Sequence, residues 1–236
     1  MADTLVIIPT YNEKENIALI SEAILVQHDS LHLLFVDDHS PDGTQDEIRN
    51  AMERYPGRVF LIGRSGKLGL GTAYIAGFKW ALERNYEFIF EMDSDFSHDP
   101  KDVLRLKQRC LDGYDLAIGS RYCTGGKIEN WPFSRWLLSY FANLYVRTIL
   151  WINIKDSTAG FKCYRRKTLE NIALEVIDFK GYAFQICMKY AVIRKKFRVS
   201  EVPITFKDRV YGESKMSSGI FKEALFGVWK MKRMPL

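Results

Sequence analysis

The sequence predicts an α/β protein, with an open, mostly parallel sheet flanked by helices on both faces. Two observations predict it. Short uninterrupted apolar runs recur, as in strands buried on both faces of a parallel sheet, and segments with helical apolar spacing separate them. Several runs also end in acidic or glycine-containing loops, where such a sheet carries its ligand-binding groups.

The first run, residues 5–8, is stopped by Pro9, and residues 13–26 follow with apolar Ile17, Leu19, Ile20, Ile24 and Leu25 at helical spacing. Residues 31–36 form a second strand ending in Asp37-Asp38, and Asp42-Gly43-Thr44 turns into a helix reaching about Tyr55. Residues 59–62 are a third strand, 71–84 a helix, 87–92 a fourth strand, 99–111 a helix and 116–119 a fifth strand. This alternation implies parallel strands with right-handed crossovers. From about Trp131 the pattern weakens, and aromatic and basic residues interleave. The sheet is therefore expected to end near Tyr122, with the remainder packed against it. One large domain is expected from 236 residues, of which 47% are hydrophobic and 27% charged.

Lys and Arg outnumber Asp and Glu by 34 − 29 = 5, which suits a phosphate-bearing partner or an anionic membrane surface. The four cysteines, Cys110, Cys123, Cys163 and Cys187, form no Cys-x-x-Cys pair, so zinc-knuckle and redox motifs are absent. The N-terminus has no signal-peptide pattern, which predicts a cytoplasmic protein with free thiols. No stretch reaches the ~18 apolar residues of a membrane span. The nearest, residues 136–154, is interrupted by Arg147.

Asp93-Ser94-Asp95 closes the fourth apolar run. Two carboxylates two residues apart on an extended segment point the same way. Such a pair can hold a divalent cation through oxygen, and the cation can clamp a diphosphate. The alternative is a solvated strand end leading to a helix cap. After the first strand, Tyr11 of Pro9-Thr10-Tyr11-Asn12-Glu13 could stack on a base and Glu13 could accept hydrogen bonds, or the segment is a plain strand-to-helix turn capped by Asn12. Asp37-Asp38 suits ribose or base donors, or is a pair of turn residues. A phosphoacceptor receiver domain also carries an acidic pocket, but at ~120 residues it leaves the latter half of the chain unexplained.

The glycine-rich stretch 66–72 could approach a phosphate through backbone N–H groups, yet matches neither standard phosphate fingerprint, which disfavours a dehydrogenase. Gly119-Ser120-Arg121-Tyr122 and Arg135 offer guanidinium groups suited to phosphate. Arg209 and Lys215, in a polar loop after the strand-like 202–206, could close over a diphosphate. Residues 131–141 and 220–230 are rich in amphipathic aromatics: they either pack on the sheet or meet a membrane or partner.

Six motifs, in order, carry a resemblance over nearly the whole chain. They are Pro9 to Glu13, Asp37 to Thr44, Lys67 to Tyr74, Asp93 to His98, Gly119 to Tyr122, and Asp208 to Lys215. With them the chain resembles the family-2 glycosyltransferases of GT-A fold and, more narrowly, the dolichyl-phosphate (polyprenyl-phosphate) mannose synthases. The resemblance implies a single catalytic domain over 1–236, with a nucleotide-sugar half to about 122, an acceptor and interfacial half from about 123, and C-terminal amphipathic helices. It implies GDP-mannose as donor and a polyprenyl (dolichyl-type) phosphate as acceptor. Pro9, Tyr11, Glu13, Val36 and Asp38 would line the nucleotide pocket. Asp93 and Asp95 would hold Mg²⁺ or Mn²⁺, with Ser94 beside the donor. Arg121 and Arg135 would engage the acceptor phosphate, and Arg209 and Lys215 would close on the donor. Asp95, Arg121, Arg135 and Lys215 are the expected catalytic set. Some relatives carry a further metal-binding Gln two residues past the second Asp, where this chain has Ser97.

The resemblance also implies a protein held peripherally at the cytoplasmic face of a membrane, directly or through a small anchoring subunit, with no nucleic-acid partner. An acceptor phosphate already anionic needs no strong base, so single displacement with inversion is expected. The competing expectations are the same fold using UDP-glucose, and a non-catalytic nucleotide-sugar-binding regulator.

Overall fold

The computed structural model describes residues 3–208 and 218–235. In chain order its elements are β1 (Thr4–Thr10), α1 (Lys14–Leu25), β2 (Leu31–Asp37), α2 (Thr44–Arg54), β3 (Val59–Gly63), α3 (Leu70–Leu82), β4 (Phe88–Glu91), α4 (Asp102–Leu111) and β5 (Leu116–Ser120). There follow β6 (Lys127–Glu129), α5 (Phe133–Leu150), β7 (Lys162–Arg165), α6 (Arg166–Glu170), a 3₁₀ turn (Leu174–Val176), α7 (Tyr182–Arg194), β8 (Val199–Pro203), β9 (Thr205–Lys207) and α8 (Ser218–Met231).

Seven strands form one sheet in the order β3-β2-β1-β4-β7-β5-β8. The pairs β3/β2, β2/β1, β1/β4 and β5/β8 are parallel, and β7 runs antiparallel to both neighbours. A separate parallel pair joins β6 to β9. Both faces of the sheet are covered. Leu5 and Ile7 of β1 face a core with Leu34, Tyr74, Phe78 and Phe184, while Val6 and Ile8 face another with Phe35, Ile17, Ile20 and Phe90. With successive residues buried on opposite faces, the strands read as unbroken apolar runs.

The nine elements expected in the first half are present, each end within about three residues of its expected place. Against expectation, the sheet does not end near Tyr122. β7 inserts between β4 and β5, and β8 extends the sheet beyond β5. β7 reads Lys-Cys-Tyr-Arg, which shows no apolar run. Its polar groups are satisfied by a neighbour instead: Glu91 lies opposite Lys162 in register, ion-pairs with Lys162 Nζ at 3.0 Å and accepts a hydrogen bond from Tyr164 Oη at 2.8 Å. Three polar side chains thus share one buried site, which a hydropathy pattern cannot show.

Buried α7 and the segment leading into it pack close against the start of α3. A Cβ on Gly71 would lie 2.1 Å from the carbonyl oxygen of Phe179, so only glycine allows this approach.

Candidate active site

The loops after β1, β2 and β4 open at one end of the sheet, and each contains a residue in left-handed conformation: Asn12 (φ 55°), His39 (φ 58°) and Phe96 (φ 58°). For bulky Phe96 this costs energy, and such conformations concentrate where backbone must be aimed. Here the turn lets Ser97 N donate to Asp95 Oδ1 at 3.1 Å. β4 stops at Glu91, so Asp93 and Asp95 sit in the following bend and not on the strand itself. Asp95, Ser94, Ser97 and His98 are buried, and Asp93 is half-buried.

The Asp37-Asp38 pair divides its work. Asp37 accepts hydrogen bonds from Thr10 Oγ1 (3.0 Å), Ser40 N (3.0 Å) and Gln45 Nε2 (2.7 Å), joining the first two loops. Asp38 pairs with Arg64 and accepts from the backbone N–H groups of Leu68 (3.1 Å) and Gly69 (3.4 Å). Gly71 N donates to the carbonyl of Lys180 at 3.1 Å. These N–H groups of the glycine-rich stretch are thus engaged by the protein itself and do not form a phosphate cradle. Tyr11 lies under the Lys67 ammonium at 4.5 Å, and Glu13 accepts from Asn16 Nδ2 at 2.8 Å. Pro9 pairs in register with Val36, whose side chain is wholly buried in the core.

A cavity of about 400 Å³ opens beside the acidic bend. Asp93, Asp95, Arg121 and Arg135 all line it; Pro9, Tyr11, Glu13, Val36, Ser94 and Asp38 do not. Arg209 and Lys215 lie outside the described residues. Arg121 is fixed by Asp156, which is fully buried. Its Nε and one terminal nitrogen donate to the two carboxylate oxygens at 2.8 and 2.7 Å, and its backbone N–H donates at 2.9 Å. Thr158 Oγ1 accepts a further bond at 2.7 Å. Burial pushes the Asp156 carboxyl up, but the Arg121 charge and hydrogen bonds outweigh this and hold it below the ordinary carboxylate value. Arg135 lies 4.1 Å from the centre of the Trp131 ring and bonds Asp208 at 3.1 and 3.2 Å.

The far wall of the cavity is apolar, built by Leu138, Phe141, Tyr145 and Val146 of α5 with Leu225 of α8. Only part of α5 packs inward, through Asn143, Val146 and Leu150. Phe133, Leu137, Tyr140, Phe141 and Leu144 form an exposed stripe at helical spacing, and Trp151 beyond it is 88% exposed. On α8, Phe226 and Trp229 are exposed too. Tyr145 Oη ties the helices together, donating to the Leu225 carbonyl and accepting from Trp229 Nε1, both at 2.9 Å. Among the described residues no helix is long and apolar enough to cross a membrane.

Among the described residues, four at the cavity carry buried polar atoms without a hydrogen-bond partner: Ser97 Oγ, His98 Nδ1, Trp131 Nε1 and Gln185 Nε2. Burial pushes the His98 imidazole down to about 4, against the opposing pull of Asp95. Asp156, Thr158 and Gln185 carried no sequence signal, since what brings Asp156 to Arg121, and Thr158 and Gln185 to the cavity, is tertiary packing. His98 stood inside a recognised motif with no role attached to it.

The asparagine-free acidic pair suits a hard cation by its oxygen donors. Among the described residues no group of three or more His, Cys, Asp and Glu side chains is placed to hold a metal. The pair therefore fits Mg²⁺ or Mn²⁺ when substrate phosphates supply further ligands, as is usual for Mg²⁺.

The family model described as Glycosyl transferase family 2 matches residues 5–173. The chain is 50% identical to the polyprenol monophosphomannose synthase of Mycolicibacterium smegmatis, over 95% of this chain and 85% of that protein. It is 46% identical to the undecaprenyl-phosphate mannosyltransferase of Micrococcus luteus, over 95% of this chain and 91% of that protein. It is 38% identical to the dolichol-phosphate mannosyltransferase of Pyrococcus furiosus, over 97% of this chain but 63% of that longer protein. Among solved structures, glucosyl-3-phosphoglycerate synthase of Mycobacterium tuberculosis, crystallised with Mn²⁺, uridine-diphosphate and phosphoglyceric acid, superposes with a TM-score of 0.73. It is 15% identical and covers 100% of this chain and 80% of that one. At that identity the likeness speaks for the fold, which is GT-A-like.

Proposed function

The chain belongs to glycosyl transferase family 2 and is a glycosyltransferase, and on that premise we propose that it transfers mannose from GDP-mannose to a polyprenyl phosphate with inversion. The observation that carries this reading is a single cavity with two unlike ends: carboxylates at one, and at the other an aromatic wall continuous with an exposed apolar stripe. A nucleotide sugar is polar throughout, whereas a polyprenyl phosphate joins an anionic head to a hydrocarbon chain. The names of the three mannosyl-transferring relatives point the same way.

The acceptor phosphate oxygen forms a bond to the anomeric carbon as the bond from that carbon to the GDP oxygen breaks, its electron pair leaving with GDP. The α-linked donor thereby gives a β-linked mannosyl phosphate. The attacking oxygen is already ionised, so the protein's tasks are alignment and charge management. Asp93 and Asp95 would hold the cation, which when bound neutralises charge on the leaving diphosphate. Arg121 and Arg135 at the cavity are assigned to the acceptor phosphate, and Arg209 and Lys215 to the donor. Tyr11, Glu13 and Asp38, with Pro9 and Val36 beside them, are assigned to the nucleotide end. The exposed faces of α5 and α8 lie in the membrane interface, where the lipid chain resides.

The test is transfer of radiolabelled mannose from GDP-mannose to polyprenyl phosphate in detergent, followed by organic extraction. Label in the organic phase is expected with Mg²⁺ or Mn²⁺, and loss of it on chelation or in Asp95→Ala. Label from UDP-glucose alone would overturn the donor. Nucleotide-sugar binding without turnover would make the protein a regulator. Near-normal turnover by Asp95→Ala would overturn the metal assignment.

A further inference from the structure

Gln185 carries an unpartnered polar atom at the cavity whose direction is set by a neighbour. It lies in the second turn of α7, 2% exposed. Its Oε1 accepts a hydrogen bond from Lys162 Nζ, which is itself held by Glu91. An ammonium group only donates, so the amide must turn its oxygen toward Lys162 and its NH₂ the other way. The Nε2 group so directed has no hydrogen-bond partner. A buried N–H pair left this way costs free energy unless something accepts from it.

Gly160 shows where the NH₂ group points. A Cβ built there would lie 3.9 Å from Gln185 Nε2, 3.6 Å from Asp93 Oδ2 and 3.9 Å from His98 Cε1. The space over Gly160 is therefore bordered by the first carboxylate of the acidic pair and by the amide together. The amines beneath are already engaged. Lys162 is matched to Glu91, and Lys189 donates to the carbonyls of Ser157 (2.9 Å), Ala159 (2.7 Å) and Gln185 (3.2 Å). A neutral donor above amines already engaged by the protein suits a neutral oxygen better than a phosphate, which calls for guanidinium or metal.

Resting on the proposed mannosyl transfer, we infer that Gln185 is a specificity-determining residue for the donor sugar, its amide NH₂ donating to one hydroxyl of the hexose beside Asp93. Lys162 and Glu91 act through it as positioning residues.

The experiment compares GDP-mannose with the set of analogues each lacking one sugar hydroxyl, on the full chain and on Gln185→Met and Gln185→Glu. With the wild type, one analogue is expected to lose about tenfold in kcat/KM, the worth of a single buried hydrogen bond. Gln185→Met is expected to lose about as much with GDP-mannose and nothing further with that one analogue. GDP binding and the KM for polyprenyl phosphate should stay within about twofold. Penalties that simply add for every analogue overturn the inference. So does a loss confined to the KM for polyprenyl phosphate, which would give the amide to the acceptor. If Gln185→Met fails to fold, Gln185→Glu keeps the shape and the Lys162 contact while replacing the donor with an acceptor, and the same comparison decides. A wild type indifferent to every missing hydroxyl overturns the inference without any variant. A wild type that transfers no mannose overturns the functional reading itself, a result distinct from all of these.

Discussion

Replacing Asp156 with alanine strips Arg121 of its buried counter-ion. The pair is 9% and 0% exposed at its side chains, and three hydrogen bonds join Asp156 to Arg121. In Asp156→Ala only the bond to Thr158 remains of the guanidinium's contacts with these residues. Breaking a buried pair by removing one partner costs about 3–5 kcal/mol, because the other charge stays desolvated. For a chain of this size each kcal/mol lowers the melting temperature by roughly 2–4 °C, so the expected fall is about 6–20 °C. Urea and thermal unfolding near pH 7 measure it. The double variant Arg121→Met, Asp156→Leu should recover most of the loss, since exchanging a whole buried pair for apolar groups is often nearly neutral. A loss below about 1 kcal/mol in Asp156→Ala, or a double variant as unstable as the two single changes summed, would refute the reasoning. Acid should act in the same direction. The Asp156 carboxyl is held below its ordinary value, so its contribution is present above about pH 4 and is lost as pH falls through its folded value.

Other consequences are separately measurable. Gly71→Ala puts a methyl 2.1 Å from the Phe179 carbonyl oxygen and 2.9 Å from the Phe184 ring, so α3 and α7 must part. A destabilisation of at least about 2 kcal/mol is expected by urea unfolding, and an unchanged midpoint would show that the helices have slack. With His98 pushed down from an ordinary 6.5 to about 4 by burial, the unfolded chain binds the extra proton between those values. Stability is therefore full above pH 6.5 and falls by about 3 kcal/mol toward pH 4. His98→Gln should flatten that part of the profile, measured in chelator as the wild-type difference; parallel profiles would contradict the burial argument. Phe133 and Trp151 are 73% and 88% exposed, so Phe133→Ser with Trp151→Ser should weaken sedimentation with anionic vesicles severalfold at little cost in stability. Unchanged vesicle binding would move the lipid contact elsewhere.

The first half of the fold was legible because each strand is apolar on both faces and each helix carries one apolar stripe. Leu5 to Ile8 and Leu31 to Val36 announce themselves in that way. β7 was not legible: Lys162 and Tyr164 look like surface residues until Glu91 is seen opposite them. The acidic bend, Arg121 and Arg135 could be found as motifs because chemistry restricts which residues bind cations and phosphates. Their partners could not. Asp156 reaches Arg121, and Gln185 the cavity, only through tertiary packing, and nothing in local sequence separates a buried Asp from a solvated one. The aromatic stretch from Trp131 to Phe141 left two alternatives open, packing on the sheet or contact with a membrane or partner. α5 turns Asn143, Val146 and Leu150 inward and leaves the stripe from Phe133 to Leu144 exposed.

The two arginines expected to meet the acceptor phosphate differ in how readily they can do so. Arg121 is bound on two edges by Asp156 and Thr158 inside the protein, so its guanidinium is a fixed positive wall and cannot swing to follow a substrate. Arg135 is 31% exposed and its partner Asp208 is 37% exposed. An ion pair that open is worth about 0–1 kcal/mol, less than a charge-assisted bond to a phosphate at about 1.5–3 kcal/mol. An arriving phosphate can therefore take Arg135 from Asp208 at little cost, while Trp131 keeps the guanidinium at the cavity mouth through the stacked contact at 4.1 Å. Under the proposed mannosyl transfer, Arg135 is then the group that captures the lipid phosphate at the boundary between apolar wall and acidic bend. Arg121 supplies the preset field into which that phosphate moves. Preset charge needs no reorganisation as the reaction proceeds, which is why its counter-ion is buried and that of Arg135 is not.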